Sequence, residues 1–376
     1  MRVAFINHAA AAFGGAEQSM ALFLIELADD VEATVILFEE GIFADHLRDL
    51  GIRTEILGVA KDLMGTTRER VRLGVVRSMP RAALELSRVL RRGRYDVVVT
   101  NSIKAHFIGS IAAKLARIPC VLHMHDILYG NPRRALSTVA RLLIVERIGC
   151  SYAVAAALGA PPVTVINEPL DTRTYDDLLD KTEARRSLGI PDDLPLIAIV
   201  GRINRWKGHD RFLRIAAMVN AIVPARFAIV GSPVFRDEDF LPELHRLCDG
   251  LGIADRVTFI PWLDDPRLIY AAIDIHCNCS YAEPFGRTST EAAAAGVPTI
   301  CFRDGGSAET ILDGLTGIAV APDDERAFAG AIIDYLQHPA ALAAAGRTAH
   351  QLCARFDIVP ASRTLFSVLQ RAAAHA

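Results

Sequence analysis

The chain has 376 residues and a mass of 40.8 kDa, which exceeds one ordinary hydrophobic core and predicts two domains. Hydrophobic residues make up 51% and charged residues 23%, which excludes a disordered, collagen-like or low-complexity chain. The net charge of −3 comes from 41 Lys and Arg against 44 Asp and Glu, so no nucleic-acid partner is expected.

Cysteine usage and the N-terminus indicate the compartment. The seven cysteines are an odd, scattered set, which favours reduced thiols over a disulfide framework. The N-terminal apolar run is broken by Asn7 and His8 and then by Gly14-Gly15, unlike a signal peptide. No window approaches the roughly 18 apolar residues of a membrane span. We therefore expect a cytoplasmic protein, with contact at the inner face of the cell membrane left open.

Short β-branched runs alternate with helix-length segments along almost the whole chain, which predicts parallel sheets joined by right-handed crossovers. The expected strands are Val3–Ile6, Thr34–Phe38, Asp96–Thr100, Cys120–His123, Val163–Ile166, Leu196–Val200, Phe227–Val230, Val257–Ile260, Ile273–Cys277, Val297–Cys301 and Gly317–Val320. The principal expected helices are Glu17–Leu27, Lys104–Ala116, Asp210–Asn220, Thr288–Ala295, Asp324–Leu336 and Asp357–Ala374.

A break between two series of strands follows Asn167, where the chain becomes turn-like and then polar as far as Asp193. The sequence thus predicts one Rossmann-like domain over 1–168 and a second over 169–355. The C-terminal helix, in 356–376, can complete either domain and can cross back to the first. Ligands of open α/β sheets bind beyond the carboxyl ends of strands, so functional residues are expected in the loops there.

The first such loop is Gly201–Gly208, which contains Arg202, Arg205 and Lys207 directly after an expected strand. A glycine turn, cations and a following helix N-terminus are typical of a site for a multiply charged anion. The segment is neither a Walker loop nor the dinucleotide fingerprint, and a solvated basic turn explains it equally well.

The second loop places Glu283 before a helix that is expected to begin near Thr288, and Glu291 within its first turns. Gly286 allows close backbone approach, and the amides of residues 286–289 are expected to face a bound phosphate. Carboxylates accept paired hydrogen bonds from vicinal hydroxyls, which suits a sugar or a ribose. Either glutamate alone is more often a simple complement to the helix dipole.

Three elements occur in a fixed order along the second half: Gly201…Lys207-Gly208, Glu283-x7-Glu291-Ala292 ending in Gly296-Val297-Pro298, and Gly305-Gly306-x2-Glu309. Together they resemble the nucleotide-sugar half of retaining glycosyltransferase family 4. The loop Gly14-Gly15-Ala16-Glu17 and the run Val165-Ile166-Asn167 also match that family, so the resemblance spans most of the chain. It implies the GT-B fold, in which two Rossmann-like doubly wound domains face each other across a cleft.

The resemblance implies that Arg202 and Lys207 hold the donor diphosphate, that Glu291 binds the ribose, and that Glu283 lies beside the transferred sugar. The residues assigned on this basis to the donor are Gly15, Arg202, Lys207, Trp262, Glu283, Phe285, Gly286, Arg287, Thr288 and Glu291. The catalytic set is His125, Glu283, Arg202 and Lys207. The acceptor set is Asn7, His8, Asn101 and His125.

Arg287 departs from the family pattern, which commonly has a small apolar residue there. Its guanidinium is expected either to reach the donor phosphates or to form a salt bridge on the surface.

The segment Lys61–Arg94 is strongly basic, with ten Lys and Arg against three acidic residues, a net charge of +7. It suits an anionic acceptor or peripheral contact with an anionic membrane, although a solvated helix face explains it as well. The net charge is also distributed unevenly between the two expected domains. Residues 1–168 carry 20 Lys and Arg against 17 Asp and Glu, and residues 169–376 carry 21 against 27.

The family resemblance implies transfer of a sugar from a nucleoside-diphosphate sugar, with UDP or GDP preferred, to an acceptor hydroxyl in polysaccharide, glycolipid or natural-product biosynthesis. Configuration would be retained without a protein nucleophile and without a metal or other cofactor. A nucleotide-sugar epimerase of the same architecture and a non-catalytic sugar-nucleotide-binding protein remain as alternatives. A dinucleotide-dependent oxidoreductase would need the glycine fingerprint that the sequence lacks.

Overall fold

A computed structural model describes residues 1–8, 14–58, 73–233, 237 and 239–375, with the side chains of 73–77 left out. The chain forms two compact units. The first consists of Met1–Pro169 together with Ile358–Ala376, and the second is Leu170–Asp357. Part of the basic segment Lys61–Arg94, from Lys61 to Arg72, lies outside the described residues.

The first unit contains a parallel sheet with the strand order β3-β2-β1-β4-β5-β6-β7. Its strands are β1 (Arg2–Asn7), β2 (Glu32–Leu37), β3 (Arg53–Ile56), β4 (Val97–Thr100), β5 (Cys120–Met124), β6 (Glu146–Gly149) and β7 (Thr164–Val165). Its helices are α1 (Gly15–Glu26), α2 (Ile42–Asp49), α3 (Leu73–Gly93), α4 (Ile103–Ala116), α5 (Gly130–Leu143) and α6 (Tyr152–Leu158).

The second unit repeats the same order in a six-stranded parallel sheet, β10-β9-β8-β11-β12-β13. Its strands are β8 (Leu196–Val200), β9 (Arg226–Val230), β10 (Val257–Ile260), β11 (Ile275–Asn278), β12 (Thr299–Phe302) and β13 (Gly317–Val320). Its helices are α7 (Lys181–Ser187), α8 (His209–Asn220), α9 (Phe240–Leu251), α10 (Arg267–Ala272), α11 (Arg287–Ala294), α12 (Glu325–Gln337) and α13 (Pro339–Leu352).

The last helix, α14 (Ile358–Ala373), packs into the first unit although it follows the second in sequence. Its apolar face, which includes Leu365 and Leu369, joins the core formed by strands of the first sheet. Arg371 on its outer turn donates to Glu146 at the start of β6. The first and last residues of the second unit lie side by side. The Leu170 amide donates a hydrogen bond to the Phe356 carbonyl.

Both units are Rossmann-like doubly wound sheets, as the sequence predicts. Most of the strands are continuously apolar, as expected where helices cover both faces of a sheet. Of the expected strands, Leu196–Val200, Val257–Ile260 and Gly317–Val320 have the predicted bounds, and the others differ by one or two residues at an end. Two strands were not predicted, and both have polar sequences: Arg53–Ile56 at the sheet edge and Glu146–Gly149.

All seven cysteines are buried free thiols. Burial raises the pKa of Cys248 to about 11 and that of Cys301 to about 12, so neither is a reactive thiolate at neutral pH. Within the described ranges, no helix combines the length and the apolar composition that crossing a membrane requires.

Two glycines of the second unit give opposite predictions for substitution by alanine. A Cβ at Gly317 in β13 would lie 2.0 Å from the Thr299 carbonyl oxygen, so Gly317→Ala must force the two strands apart. We expect it to lower stability by about 1–3 kcal/mol, the usual cost of overpacking. Gly330 in α12 has open space around the same position, and Gly330→Ala should raise stability by about 0.5–1 kcal/mol. Urea unfolding of both variants measures this, and equal effects of the same sign would contradict the packing described.

Candidate functional site

In the second unit, the loops after β8 and β11 meet at the point where the strand order reverses, the usual ligand position in such sheets. The loop after β8 ends at Gly208, whose φ is +74°. A Cβ there would lie 2.1 Å from the carbonyl oxygen of Cys279, which follows β11. Only glycine therefore permits this contact between the two loops.

This contact places Lys207 beside Glu283. The Lys207 Nζ donates to Glu283 Oε2 at 2.8 Å, and both side chains are largely buried. Asn204 orders the turn by accepting a hydrogen bond from the Lys207 amide at 3.1 Å. The ammonium also lies 4.3 Å from the centre of the Trp206 ring. A buried cation and a buried carboxylate thus neutralise each other at the end of the sheet.

The third sequence element supports Glu283 through the backbone. Glu283 and Gly305 form an isolated parallel bridge, and the Gly306 amide donates to the Glu283 carbonyl at 2.6 Å. A Cβ at Gly305 would lie 2.3 Å from that carbonyl oxygen. The paired glycines therefore let the loop after β12 hold the backbone of Glu283.

At the start of α11, Gly286 occupies the N-cap with a φ of +102°. The amide of Ser289 donates to the Gly286 carbonyl at 2.9 Å, so the expectation of free amides over 286–289 is wrong at Ser289. The Ser289 hydroxyl accepts from Asn278 Nδ2 at 3.3 Å, which ties the helix to the end of β11.

Glu291 lies on α11, one turn beyond Arg287. Arg287 Nε donates to Glu291 Oε1 at 3.0 Å, and the Tyr270 hydroxyl donates to Oε2 at 2.9 Å. Burial and the charge of Glu291 raise the pKa of Tyr270, which therefore stays protonated as a donor. Arg287 thus forms a salt bridge, and this bridge is buried rather than on the surface. These two bonds engage both oxygens of the Glu291 carboxylate.

The other residues expected to bind the donor differ in accessibility. Arg202 is half-buried, and its guanidinium has no hydrogen-bond or ion-pair partner within the described part of the chain. Thr288 is also half-buried, whereas the Phe285 side chain is buried against Phe356. Trp262 follows β10 and is half-exposed, with its amide donating to the Ser232 hydroxyl at 3.0 Å.

Arg205 has partners elsewhere in the second unit. It donates to Glu243 at 2.7 Å and lies over the Phe240 ring.

In the first unit, the acceptor candidates lie at the corresponding reversal between β1 and β4. Asn7 ends β1, and its Nδ2 donates to Glu17 Oε1 at 3.2 Å. The other oxygen of Glu17 accepts from the Gly14 amide at 3.1 Å, which fixes the start of α1 and therefore Gly15. The His8 amide donates to the Ser102 hydroxyl. Burial, with the nearby Lys104 charge, lowers the pKa of His8 to about 4, so its ring is neutral.

His125 follows β5 and is buried between Asn101 and Glu168. Its Nε2 lies 2.9 Å from Asn101 Oδ1, and its Nδ1 lies 3.4 Å from Glu168 Oε1. Cys150 lies close by, and ligand atoms of His125, Cys150 and Glu168 all fall within 4.8 Å of one another. This set is a combination that can hold a transition metal.

Both halves of the chain match known families. A family described as "Glycosyl transferases group 1" matches residues 180–352, and a "Glycosyl transferase 4-like domain" matches residues 14–160. A D-inositol 3-phosphate glycosyltransferase of Catenulispora acidiphila is 32% identical over 290 residues, which is 70% of this chain and 68% of that protein. The chain belongs to glycosyltransferase family 4. A D-inositol 3-phosphate glycosyltransferase of Thermobispora bispora is 30% identical over 83% of this chain and 84% of its own length.

Solved structures agree on the fold of this glycosyltransferase. HepE of Anabaena in complex with UDP-glucose has a TM-score of 0.85 and 25% identity, covering 99% of this chain and 100% of that one. Sucrose-phosphate synthase of Thermosynechococcus elongatus has a TM-score of 0.82 at 20% identity, covering 100% of both chains. The GT-B fold expected from the sequence is confirmed.

Three residues of the two sites escaped the sequence reasoning. Tyr270 lies in an apolar helix and has no motif around it, and Glu168 lies in the turn that served only as a domain boundary. Glu17 belongs to the Gly14–Glu17 family motif, but the sequence does not predict its contact with Asn7. Gly14 followed three residues later by Glu17 is a capping pattern, which indicates only the bond between the Glu17 carboxylate and the Gly14 amide.

The Lys207–Glu283 pair can be tested by a double-mutant cycle. Lys207→Met leaves Glu283 buried without its cation and should lower stability by about 3–5 kcal/mol. Adding Glu283→Gln should recover most of this loss, because the uncompensated charge is then removed. Arg303→Met, which breaks an exposed pair with Asp313, is the control and should cost less than about 1 kcal/mol. Additive effects of the two site substitutions would show that the pair is not coupled.

Proposed function

We propose that this glycosyltransferase moves a sugar from a UDP- or GDP-sugar to an acceptor hydroxyl, with retention of configuration and without a metal. The observation that carries the proposal is the buried Lys207–Glu283 pair at the reversal of the second sheet. The Lys207 ammonium can bind a diphosphate, and the Glu283 carboxylate can accept hydrogen bonds from sugar hydroxyls. The two groups lie at hydrogen-bond distance from each other.

Donor binding then requires Lys207 to exchange Glu283 for phosphate oxygens. Arg202, whose guanidinium has no partner in the described chain, supplies a second cation to the same diphosphate. As the glycosidic bond breaks, negative charge accumulates on the leaving nucleotide, and two cations stabilise it. They supply the charge that a metal ion would otherwise provide.

Glu291 is held in place to bind the ribose. Arg287 and Tyr270 fix its two oxygens, and a carboxylate held in this way suits paired hydrogen bonds from two vicinal hydroxyls. Arg287 therefore acts on the donor through Glu291. UDP is the first nucleotide to test, since the similar protein HepE was solved with UDP-glucose.

We further propose that Glu283 binds the sugar and does not attack it. Glu283 is paired with Lys207 before the donor binds, and once Lys207 has moved to the phosphates its carboxylate accepts hydrogen bonds from the sugar hydroxyls. The acceptor hydroxyl would then attack from the side of the leaving group, whose phosphate takes the proton. This route retains configuration in one step.

The acceptor is proposed to be anionic and to bind the first unit near Asn7, His8, Asn101 and His125. The described part of α3 presents exposed Arg81, Arg88, Arg91 and Arg92. The two curated relatives reported above are named for D-inositol 3-phosphate, a phosphorylated polyol, which supports an acceptor of that chemistry.

Donor screening with product analysis tests the function. UDP-, GDP-, ADP- and dTDP-sugars are incubated with and without D-inositol 3-phosphate, and proton NMR couplings report the anomeric configuration of the product. We expect nucleotide release that depends on acceptor, a retained product, and unchanged rates in EDTA. Epimerised donor without acceptor would identify an epimerase, and an inverted product or EDTA-sensitive transfer would refute the proposed mechanism.

The ribose assignment gives a sharper comparison within the same assay. The wild type should use a 2′-deoxy-UDP-sugar about tenfold or more less efficiently than the ribose donor, because a hydrogen bond to a charged group contributes about 1.5–3 kcal/mol. Glu291→Gln should shrink this ratio, whereas Glu183→Gln on the exposed face of α7 should leave it unchanged. An unchanged ratio in Glu291→Gln would place the ribose elsewhere.

Peripheral membrane contact through the basic helix α3 is part of the proposal. Liposome sedimentation at two salt concentrations should show binding to vesicles with anionic lipid that weakens at high salt. The triple variant Arg81→Glu, Arg88→Glu and Arg92→Glu should sediment less. Sedimentation that is independent of lipid charge and of salt would contradict this contact.

A further inference from the structure

The carboxylate of Glu168 meets the ring of His125 inside the first unit. The two residues are 43 positions apart, both are buried, and Nδ1 lies 3.4 Å from Oε1. On the other edge of the ring, Nε2 lies 2.9 Å from the Asn101 side chain. The imidazole is therefore held at both nitrogens by groups from two other loops.

The chemistry of these partners fixes one proton. When Glu168 is ionised its carboxylate only accepts hydrogen bonds, so we expect Nδ1 to be the donor in this contact. The Asn101 side chain has a carbonyl that accepts hydrogen bonds and an NH2 group that donates them. It can therefore pair with Nε2 whether or not Nε2 carries a proton. The position of the Nδ1 proton follows from Glu168 alone.

The neighbouring histidines His123 and His106 do not replace Glu168 as the hydrogen-bond acceptor for His125 Nδ1. The His123 ring lies 4.2 Å from that of His125, centre to centre, and burial lowers its pKa well below the usual value. Burial likewise lowers the pKa of His106 to about 3, with the nearby rings of His125 and His8 contributing. Of the groups around His125, Glu168 is a carboxylate and Cys150 a thiol, and Glu168 is the strong acceptor.

We propose that Glu168 is a positioning residue for His125. It accepts the Nδ1 proton of the imidazole and so fixes the tautomer and the orientation of the ring, with the Nε2 edge directed at Asn101. The arrangement follows the logic by which a third group orients a histidine that works on substrate. Its effect on activity rests on the proposed function of His125, whereas the proton itself is independent of it.

Nitrogen-15 NMR of the full chain labelled at histidine reads the proton directly. The His125 signals are identified by their loss in His125→Gln. We expect a protonated Nδ1 in the wild type, its retention in Glu168→Gln, whose amide oxygen still accepts, and its loss in Glu168→Leu. His276, which lies in the second unit with Nδ1 3.1 Å from the Thr299 hydroxyl, is the internal reference and should not change. An unprotonated Nδ1 in the wild type, or an unchanged one in Glu168→Leu, overturns the proposal.

Kinetics separate positioning from a merely structural role. Glu168→Leu should lower kcat about 100-fold with donor KM unchanged, the size of effect that a displaced reacting geometry produces. Glu168→Gln should restore most of the rate, and Glu146→Gln on the neighbouring strand should leave it at the wild-type level. Equal losses in Glu168→Leu and Glu168→Gln would overturn the proposal. Absence of any transfer by the wild type would instead refute the proposed function and leave the NMR result to stand by itself.

Metal analysis of the purified protein tests whether a metal ion, rather than a proton, lies between His125 and Glu168. His125, Cys150 and Glu168 can share a metal, and a metal on Nδ1 would take the place of the proton. We expect substoichiometric zinc in the wild type that is unchanged in Cys150→Ser. One tightly bound zinc per chain, lost in Cys150→Ser, would overturn the assignment of Glu168 as a proton acceptor.

Discussion

The proposed donor site depends on the need to compensate a buried carboxylate. Glu283 lies at the end of a sheet, out of contact with bulk water, where an unpaired charge would cost about 3–5 kcal/mol. Lys207 compensates it, and the turn capped by Asn204 exists to bring that ammonium to this depth. The site before donor binding is thus a closed electrostatic unit, and a ligand with both phosphates and hydroxyls can replace each half of the pair by an equivalent contact.

Glycine makes this pairing geometrically attainable. The loops that follow three strands of the second sheet approach one another through backbone atoms, at Gly208 against Cys279 and at Gly305 against Glu283. Side chains at these positions would separate the loops by more than a hydrogen bond allows. The glycines of the family pattern therefore contribute through the absence of a side chain, while Lys207 and Glu283 supply the buried ion pair.

The sequence was informative where the physical cause is local. Continuous apolar runs predicted most strands, and motif spacing predicted Lys207, Glu283 and Glu291 at one end of the second sheet. Strands that carry charge for long-range reasons were missed, as in β6, where Arg147 donates to carbonyls at the end of α5 and Glu146 pairs with α14. The contacts of Glu168 with His125 and of Tyr270 with Glu291 depend on the folded topology, and no local pattern encodes them. Arg287 shows the same limit, since its choice between phosphate and Glu291 depends on a side-chain geometry that spacing does not give.

The return of α14 to the first unit has a consequence for synthesis on the ribosome. The second unit is one continuous segment and can complete its core once residue 357 has emerged. The first unit begins to appear earlier but lacks the helix that fills its core with Leu365, Val368 and Leu369 until the second unit has been synthesised. Part of the apolar surface of the N-terminal sheet therefore stays uncovered during that time, and such exposed surface is prone to aggregation.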